Sequence, residues 1–248
     1  MQIFDKKKKF LSNKITFFMK YTDFEAIMSP ERMSRYLIAT KGDTNKAMAL
    51  YRANLHLSQE VFTVVSCFEV ALRNAIDERL KVTLGSDWLR DAIQPGGIFD
   101  VKKFPETHRK LTKAYTKLTA TNTYRHSQLL ATLDFGSWKH MFANGQYRAT
   151  GQCLLKVFPN KPKSAPGMQY NNTYIFNELD KVNTLRNRIA HHEPICFTHS
   201  SQTVDTSYII NEYQKIQTLF AWMGIDSHAL LYGLDHVQAV CNKINQIK

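Results

Sequence analysis

The sequence predicts an all-α protein, a helical bundle that carries a basic helical insertion, and three observations lead there. Only 10 Gly and 7 Pro occur in 248 residues, too few for the frequent turns of a β architecture. Apolar residues recur at spacings of three and four, the period of one helix face. No segment alternates apolar and polar residues strongly enough to read as a half-buried strand, and no internal repeat stands out. Hydrophobic residues make up 44% and aromatics 12%, which supplies a core and excludes wholesale disorder.

Residues 1–27 read as a basic N-terminal extension, with Asp5-Lys6-Lys7-Lys8-Lys9-Phe10 ahead of Leu11 to Met19. Ser12, Asn13 and Lys14 interrupt that stretch, so it lacks the apolar core and cleavage site of a signal peptide. Ser29-Pro30-Glu31-Arg32 has the form of a helix start, Ser29 capping and Pro30 in the first helical position. A helix begins after Gly42-Asp43-Thr44 and continues through Tyr51 and Leu55. Near Ser58 the pattern restarts, with Glu60 in the first turn, and runs to about Leu80. Gly85-Ser86-Asp87-Trp88 closes that element and opens a short one, and Gln94-Pro95-Gly96-Gly97 is a loop. A basic helix follows, with Lys102, Lys103, Arg109, Lys110, Lys113 and Lys117 around a thin apolar stripe. Leu129 to Phe142 forms another apolar unit, interrupted at Phe135-Gly136-Ser137-Trp138. Phe158 to Gly167 is a basic, proline-rich loop containing Lys161 and Lys163. A long helix should run from about Asn172 to Glu193, where Pro194 stops it. A loop from Phe197 to Thr203 then leads into helices near Ser207–Trp222 and Ser227–Ile247. Residues 28–248 read as one domain, with 85–167 as its insertion.

The charge balance is 33 Lys and Arg against 21 Asp and Glu, a net +12, and nucleic acid is the first anionic partner it suggests. Lys110, Lys113, Lys117, Lys161 and Lys163 are candidate RNA-backbone contacts, with Tyr124, Phe158 or Tyr170 available to stack on bases. A solvated face with ordinary core aromatics explains the same residues equally well. Cys67, Cys153, Cys196 and Cys241 are scattered without any Cys-x-x-Cys pair, which argues against a zinc ribbon and for a reducing, cytoplasmic setting. Cys67 sits in an apolar run and reads as a small buried residue. No apolar stretch reads as long enough to cross a bilayer, so no membrane is expected as a partner.

Chemistry concentrates on two helices. Stepping 100° per residue along the helix that ends at Pro194 puts Ile175, Leu179, Val182, Leu185 and Ile189 on one stripe. Arg186 falls inside that stripe, where an unpaired guanidinium would be costly, so it needs a carboxylate or an anionic ligand. Asn187 and His191, four residues apart, share another face. His191 and His192 occupy the last turn, where unpaired carbonyls favour an imidazolium, a position suited to proton transfer. On the helix from Ser58 to Leu80, the stripe Phe62, Val65, Leu72, Ile76 and Leu80 includes Glu69, with Arg73 one turn later at its edge. Glu69 is thus expected to face the core as a partner for Arg186 or Arg73.

Arg186-Asn187-x-x-x-His191 resembles the Arg-x-x-x-x-His signature of the HEPN superfamily, whose second position is typically Asn, Asp or His. The wider string Leu185-Arg186-Asn187-Arg188-Ile189-Ala190-His191-His192-Glu193-Pro194 is similar to the Abi-like (abortive infection) branch of that superfamily. So are Phe68-Glu69-Val70-Ala71-Leu72-Arg73-Asn74-Ala75-Ile76 and Leu133-Asp134-Phe135-Gly136-Ser137-Trp138. The resemblance spans from about Met28 to the C-terminus. It implies a HEPN-like helical bundle that forms a homodimer, two motifs facing each other as one metal-independent ribonuclease site without a cofactor. Such proteins act against phage or as toxins held by an antitoxin. By position, Arg186 and His191 would be the catalytic pair and Asn187 a support, with His192 able to replace His191 because the spacing varies within the superfamily.

On that reading the RNA's own 2′-OH is the nucleophile, His191 transfers protons, Arg186 stabilises the phosphorane-like charge and Asn187 orients the imidazole or a phosphate oxygen. Two other readings compete. A non-catalytic protein would hold a structured antitoxin RNA with the same groups. A metal hydrolase would use His191, His192 and Glu193, but adjacent histidines on a helix point in different directions.

Overall fold

A computed structural model of the chain describes residues 19–198 and 201–247. Among the described residues there are helices and no strand, only the isolated bridges Ala165–Met168 and Phe197–Val204. The all-α reading therefore stands, and several element boundaries differ from the expected ones.

The basic run at residues 5–10 lies outside the described residues. The end of the expected extension falls in a helix, α1 (Tyr21–Met28), that packs on the two helices after it with Phe24 buried. α2 (Pro30–Ala39) starts as expected, the Ser29 hydroxyl accepting the Arg32 N–H at 3.3 Å. α3 (Thr44–Leu84) is a single helix of 41 residues, where two were expected with a restart near Ser58. The Asp43 carboxylate caps it by accepting the N–H groups of Asn45 and Lys46, and no Gly or Pro interrupts it before Gly85. Glu60 is therefore not a first-turn residue. It lies buried, accepts the His236 backbone N–H at 3.0 Å, and has the rings of His56 and His236 at 3.2 and 3.3 Å.

α4 (Trp88–Asp91) is the expected short element, and α5 (Pro105–Ala120) is the basic helix. Lys102 and Lys103 precede it, because Pro105 occupies its first turn. α6 (His126–Ala131) and α7 (Phe135–His140) form the next apolar unit. Phe135-Gly136-Ser137-Trp138 does not interrupt it; it is the first turn of α7, begun by Asp134, whose carboxylate accepts the Ser137 N–H at 2.9 Å. α8 (Asn144–Ala149) and a 3-10 turn over Leu154–Val157 follow, neither expected from the sequence. α9 (Asn172–Ala190) is the long motif helix, and α10 (Ser207–Trp222) has the expected bounds. The last expected helix is two, α11 (Ser227–Leu230) and α12 (Val237–Ile247), separated by a turn in which Gly233 takes φ +73°.

α3 is the axis of the molecule, in contact with α1, α2, α4, α7, α9, α10 and α12. Its core face is Val61, Val65, Phe68, Leu72, Ile76 and Leu80, all 1% exposed or less. Phe62, expected on that face, is 40% exposed and lies on the outer side with Leu55 and Val70. Cys67 is half-buried rather than buried, and all four cysteines are free thiols. By length and composition α3 can cross a membrane, contrary to the sequence expectation that no stretch is long enough. Yet its buried Asn54 and Glu60 bond to protein groups and its core face is covered by other helices, the arrangement of a central bundle helix.

Near its C-terminal end α3 carries a polar hub. Asp77 is 5% exposed and accepts hydrogen bonds from Lys81 Nζ at 2.5 Å and Trp88 Nε1 at 2.9 Å. The ring of His126, on α6, places Nε2 2.7 Å from the same carboxylate. One side chain thus ties α3, α4 and α6 together.

Candidate active site

The apolar stripe of α9 is buried at all five expected positions, which fixes the rotation of the helix and of Arg186 with it. Arg186 is half-buried, and its Nε is buried without a hydrogen-bond partner. Its nearest polar contact is weak, an NH1 donor 3.4 Å from Asn187 Oδ1. The expected pairing with Glu69 is electrostatic rather than direct: no ion pair joins them among the described residues. Burial pushes the Glu69 carboxyl above the usual range; Arg186 and Arg73 oppose that shift and Asp134 adds to it. Arg73 is half-buried, with Nε 3.4 Å from Asn74 Oδ1.

Asp134, missed as a site residue, is the second carboxylate that faces Arg186. Burial pushes its carboxyl up, but hydrogen bonds from Ser137, together with Lys110 and Arg186, outweigh this and hold it below the usual range. Hence each of the three sequence segments contributes one charged group to the same place: Glu69 from α3, Asp134 from the start of α7, and Arg186 from α9.

Asn187, His191 and His192 are exposed. α9 was expected to reach Glu193; it ends at Ala190, and His191 is its cap. The Glu193 N–H donates to Arg188 O at 2.9 Å and the His192 N–H to Ile189 O at 3.0 Å, the paired bonds of a Schellman ending. His192 takes the left-handed position, φ +57°, where glycine is usual, at a local cost of about 1–2 kcal/mol. The segment that follows is held from three sides. Asn54 Oδ1 accepts the buried N–H groups of Ile195 and Cys196 at 2.9 and 3.1 Å. Arg32 NH1 donates to His192 O at 2.8 Å. Arg188 pairs with Glu193 at 3.2 Å and donates to Pro194 O. Sequence reasoning missed Asn54, although a polar side chain four residues from Leu50 and three from Leu57 on a core stripe is itself a signal.

The candidate RNA contacts separate into two groups. Lys110, Lys113 and Lys117 line one cleft on α5, together with Asp134; Lys110 Nζ lies 3.7 Å from Asp134 Oδ2. Lys161 and Lys163 belong to the loop before α9 and do not line that cleft. Phe158 cannot stack on a base as expected, because it is 1% exposed and packs on Phe142. Tyr124 donates to Asp87 at 3.0 Å, and Tyr170 sits edge-on to Tyr174 and Trp222. Among the described residues no three His, Cys, Asp or Glu side chains come together as a metal-ligand set.

The Glu69 result has a measurable sign. A carboxyl whose pKa is raised on folding costs stability while charged, and that cost fades as pH falls through the folded value. Glu69→Gln should therefore leave the thermal midpoint at pH 7 unchanged or higher, while weakening whatever Arg186 does. A thermal melt beside an activity assay checks this, and a lower midpoint would show a net stabilising role instead.

A family model described as Abi-like protein matches residues 9–196. No curated protein and no solved structure matches the chain.

Proposed function

The chain belongs to the Abi-like protein family, whose name points to abortive infection, and from that premise we propose that it is a metal-independent endoribonuclease of the HEPN type, acting in anti-phage defence or as a toxin. The observation that carries this reading is Arg186, half-buried with an unpartnered Nε, one residue from exposed Asn187 and five from exposed His191. A half-buried guanidinium with an unused donor and no ion pair among the described residues is a seat for a phosphate group.

The reaction needs only the RNA and these side chains. The 2′-oxygen attacks the adjacent phosphorus as its proton leaves to a base, the P–O5′ bond breaks, and the 5′-oxygen receives a proton. The products are a 2′,3′-cyclic phosphate and a 5′-OH. His191 carries out the acid–base transfer, a contribution of about 10²–10⁴-fold. Arg186 stabilises the charge on the equatorial oxygens, and Asn187 orients the imidazole or one oxygen. Arg186 and His191 lie five residues apart, about 140° around the helix. Two copies facing each other would set His191 of one against Arg186 of the other. Leu55, Phe62 and Val70, exposed on the outer side of α3, supply an apolar surface suited to such a contact.

The test is purified full-length chain on total RNA, with and without EDTA, followed by end-group analysis. Cyclic phosphate and 5′-OH ends in the presence of EDTA are expected. The Arg186→Ala/His191→Ala double variant should bind RNA and cut none. Products with 3′-OH ends, or a requirement for Mg²⁺, would overturn the mechanism, and binding without cleavage by the wild type would leave an RNA-holding protein.

A further inference from the structure

Two adjoining clefts lie between α5 and α7, and they differ in chemistry. The inner one, about 300 Å³, has an apolar floor of Leu111, Leu133 and Met141, each no more than 6% exposed. Its rim carries Ser137, His140 and Gln146, with Glu106 at the edge, where it is paired to Arg109. The Gln146 amide donates to the Thr107 hydroxyl at 3.1 Å, which leaves its carbonyl free to accept from a ligand. The outer one, about 400 Å³, carries Arg109, Lys110, Lys113 and Lys117. Lys110, Leu133 and Ser137 line both, so the two form one continuous surface. Arg109 is occupied by Glu106 at 2.7 Å, but Lys113 and Lys117 make no ion pair among the described residues.

The ligand this surface fits is flat and apolar on its faces, carries donors and acceptors on its edge, and is anionic next door. An acidic peptide would use the lysines but would fill the inner cleft only with an added apolar side chain, whereas a nucleotide carries both parts in one unit. We propose that the double cleft is a nucleotide seat, the heterocyclic base resting on Leu111, Leu133 and Met141 and its phosphates crossing Lys110 and Lys113 toward Lys117. The base edge meets His140, Ser137 and Gln146. Burial, with Lys139 and Lys110, holds the His140 imidazole below its ordinary range, so its neutral ring offers one donor and one acceptor. Asp134 lines the outer cleft and also faces Arg186, so a strand seated here leads toward the candidate catalytic arginine. In taking an RNA strand as the source of the nucleotide the inference rests on the nuclease reading; the seat itself does not. A base in this cleft has left any helical stack, so the substrate is single-stranded at that position.

The test uses a fully 2′-O-methylated oligoribonucleotide, which lacks the attacking hydroxyl, so binding is read without cleavage. Thr107→Trp narrows the inner cleft from its partly exposed edge. It should weaken binding of the fluorescein-labelled single strand about tenfold or more, and leave the weaker binding of the same sequence as a duplex unchanged. Lys113→Glu/Lys117→Glu should weaken both and flatten the salt dependence. Irradiating the wild type with a 4-thiouridine-substituted strand should crosslink within residues 107–146, a readout independent of how any variant folds. Displacement of the strand by AMP, GMP, CMP or UMP would identify a free nucleotide as the natural occupant; resistance to them would identify the strand. Undiminished binding by Thr107→Trp, or crosslinks only outside 107–146, would overturn the seat. Specific binding with no RNA ever cut would retain the seat and remove the nuclease reading, and cleavage unaffected by Thr107→Trp would do the reverse.

Discussion

On the proposed ribonuclease mechanism, Arg186→Ala is expected to lower RNA cleavage by about 10²–10³-fold, the usual cost of removing one donor to a developing oxyanion. The substitution takes away a cation that acts on both Glu69 and Asp134, so their mutual repulsion rises and some stability is lost with the alkyl stem. Arg186→Lys separates the two effects. It keeps the charge and most of the stem but loses Nε and the planar fork, so stability should return while activity does not. Single-turnover rates at saturating protein, read beside a thermal melt, provide the measurement. A lysine variant with the wild-type rate would show that charge alone suffices, and the reading of Arg186 as a geometric oxyanion clamp would fail.

Asp77→Ala should produce the largest loss of stability, about 3–5 kcal/mol, because it leaves Trp88 Nε1 and His126 without their buried partner. For a chain of this size that corresponds to a drop of roughly 10 °C in Tm. The pH dependence identifies the cause. Burial pushes the Asp77 carboxyl up, but hydrogen bonds from Lys81, His126 and Trp88 outweigh it and hold it below the usual range. A carboxyl lowered on folding contributes stability that is full above the unfolded value, near 3.9, and fades as pH falls through the folded one. Asp77→Asn should therefore lose stability at pH 7 and show a flatter decline between about pH 5 and 2. An acid limb identical to the wild type would rule out the ionised carboxylate as the organising group.

The helical class and the rotation of α9 were legible in the sequence because both rest on periodicity. Ile175 to Ile189 needed no partner to declare a core face, and Arg186 followed from them. Where the reading failed, the deciding contact came from elsewhere in the chain. Ser58 looked like a new start until Asp43 and the absence of a breaker made α3 continuous. Phe62 has the residue type of a core position, but the neighbouring helices cover the other side of α3. Glu193 was assigned to α9 because Pro194 marked the stop, yet the left-handed His192 ends the helix earlier, an outcome composition does not encode. In the candidate site, Arg186, Asn187, His191 and Glu69 were identifiable by type and spacing. Asp134 and Asn54 were not, since their roles arise from residues 52 and about 140 positions away in the fold.

The length of α3 has a further consequence. At 41 residues it extends about 60 Å, and it carries Asn54, Glu69 and Asp77 along one unbroken hydrogen-bonded ladder. The anchor of the segment after His191, the carboxylate beside Arg186 and the α4–α6 hub thus share a single backbone. They lie about 22 Å (Asn54 to Glu69) and about 12 Å (Glu69 to Asp77) apart along it, beyond direct side-chain coupling. Paired substitutions among them should therefore add within about 0.5 kcal/mol, and a double-variant cycle that departs from this would show that the helix itself transmits strain.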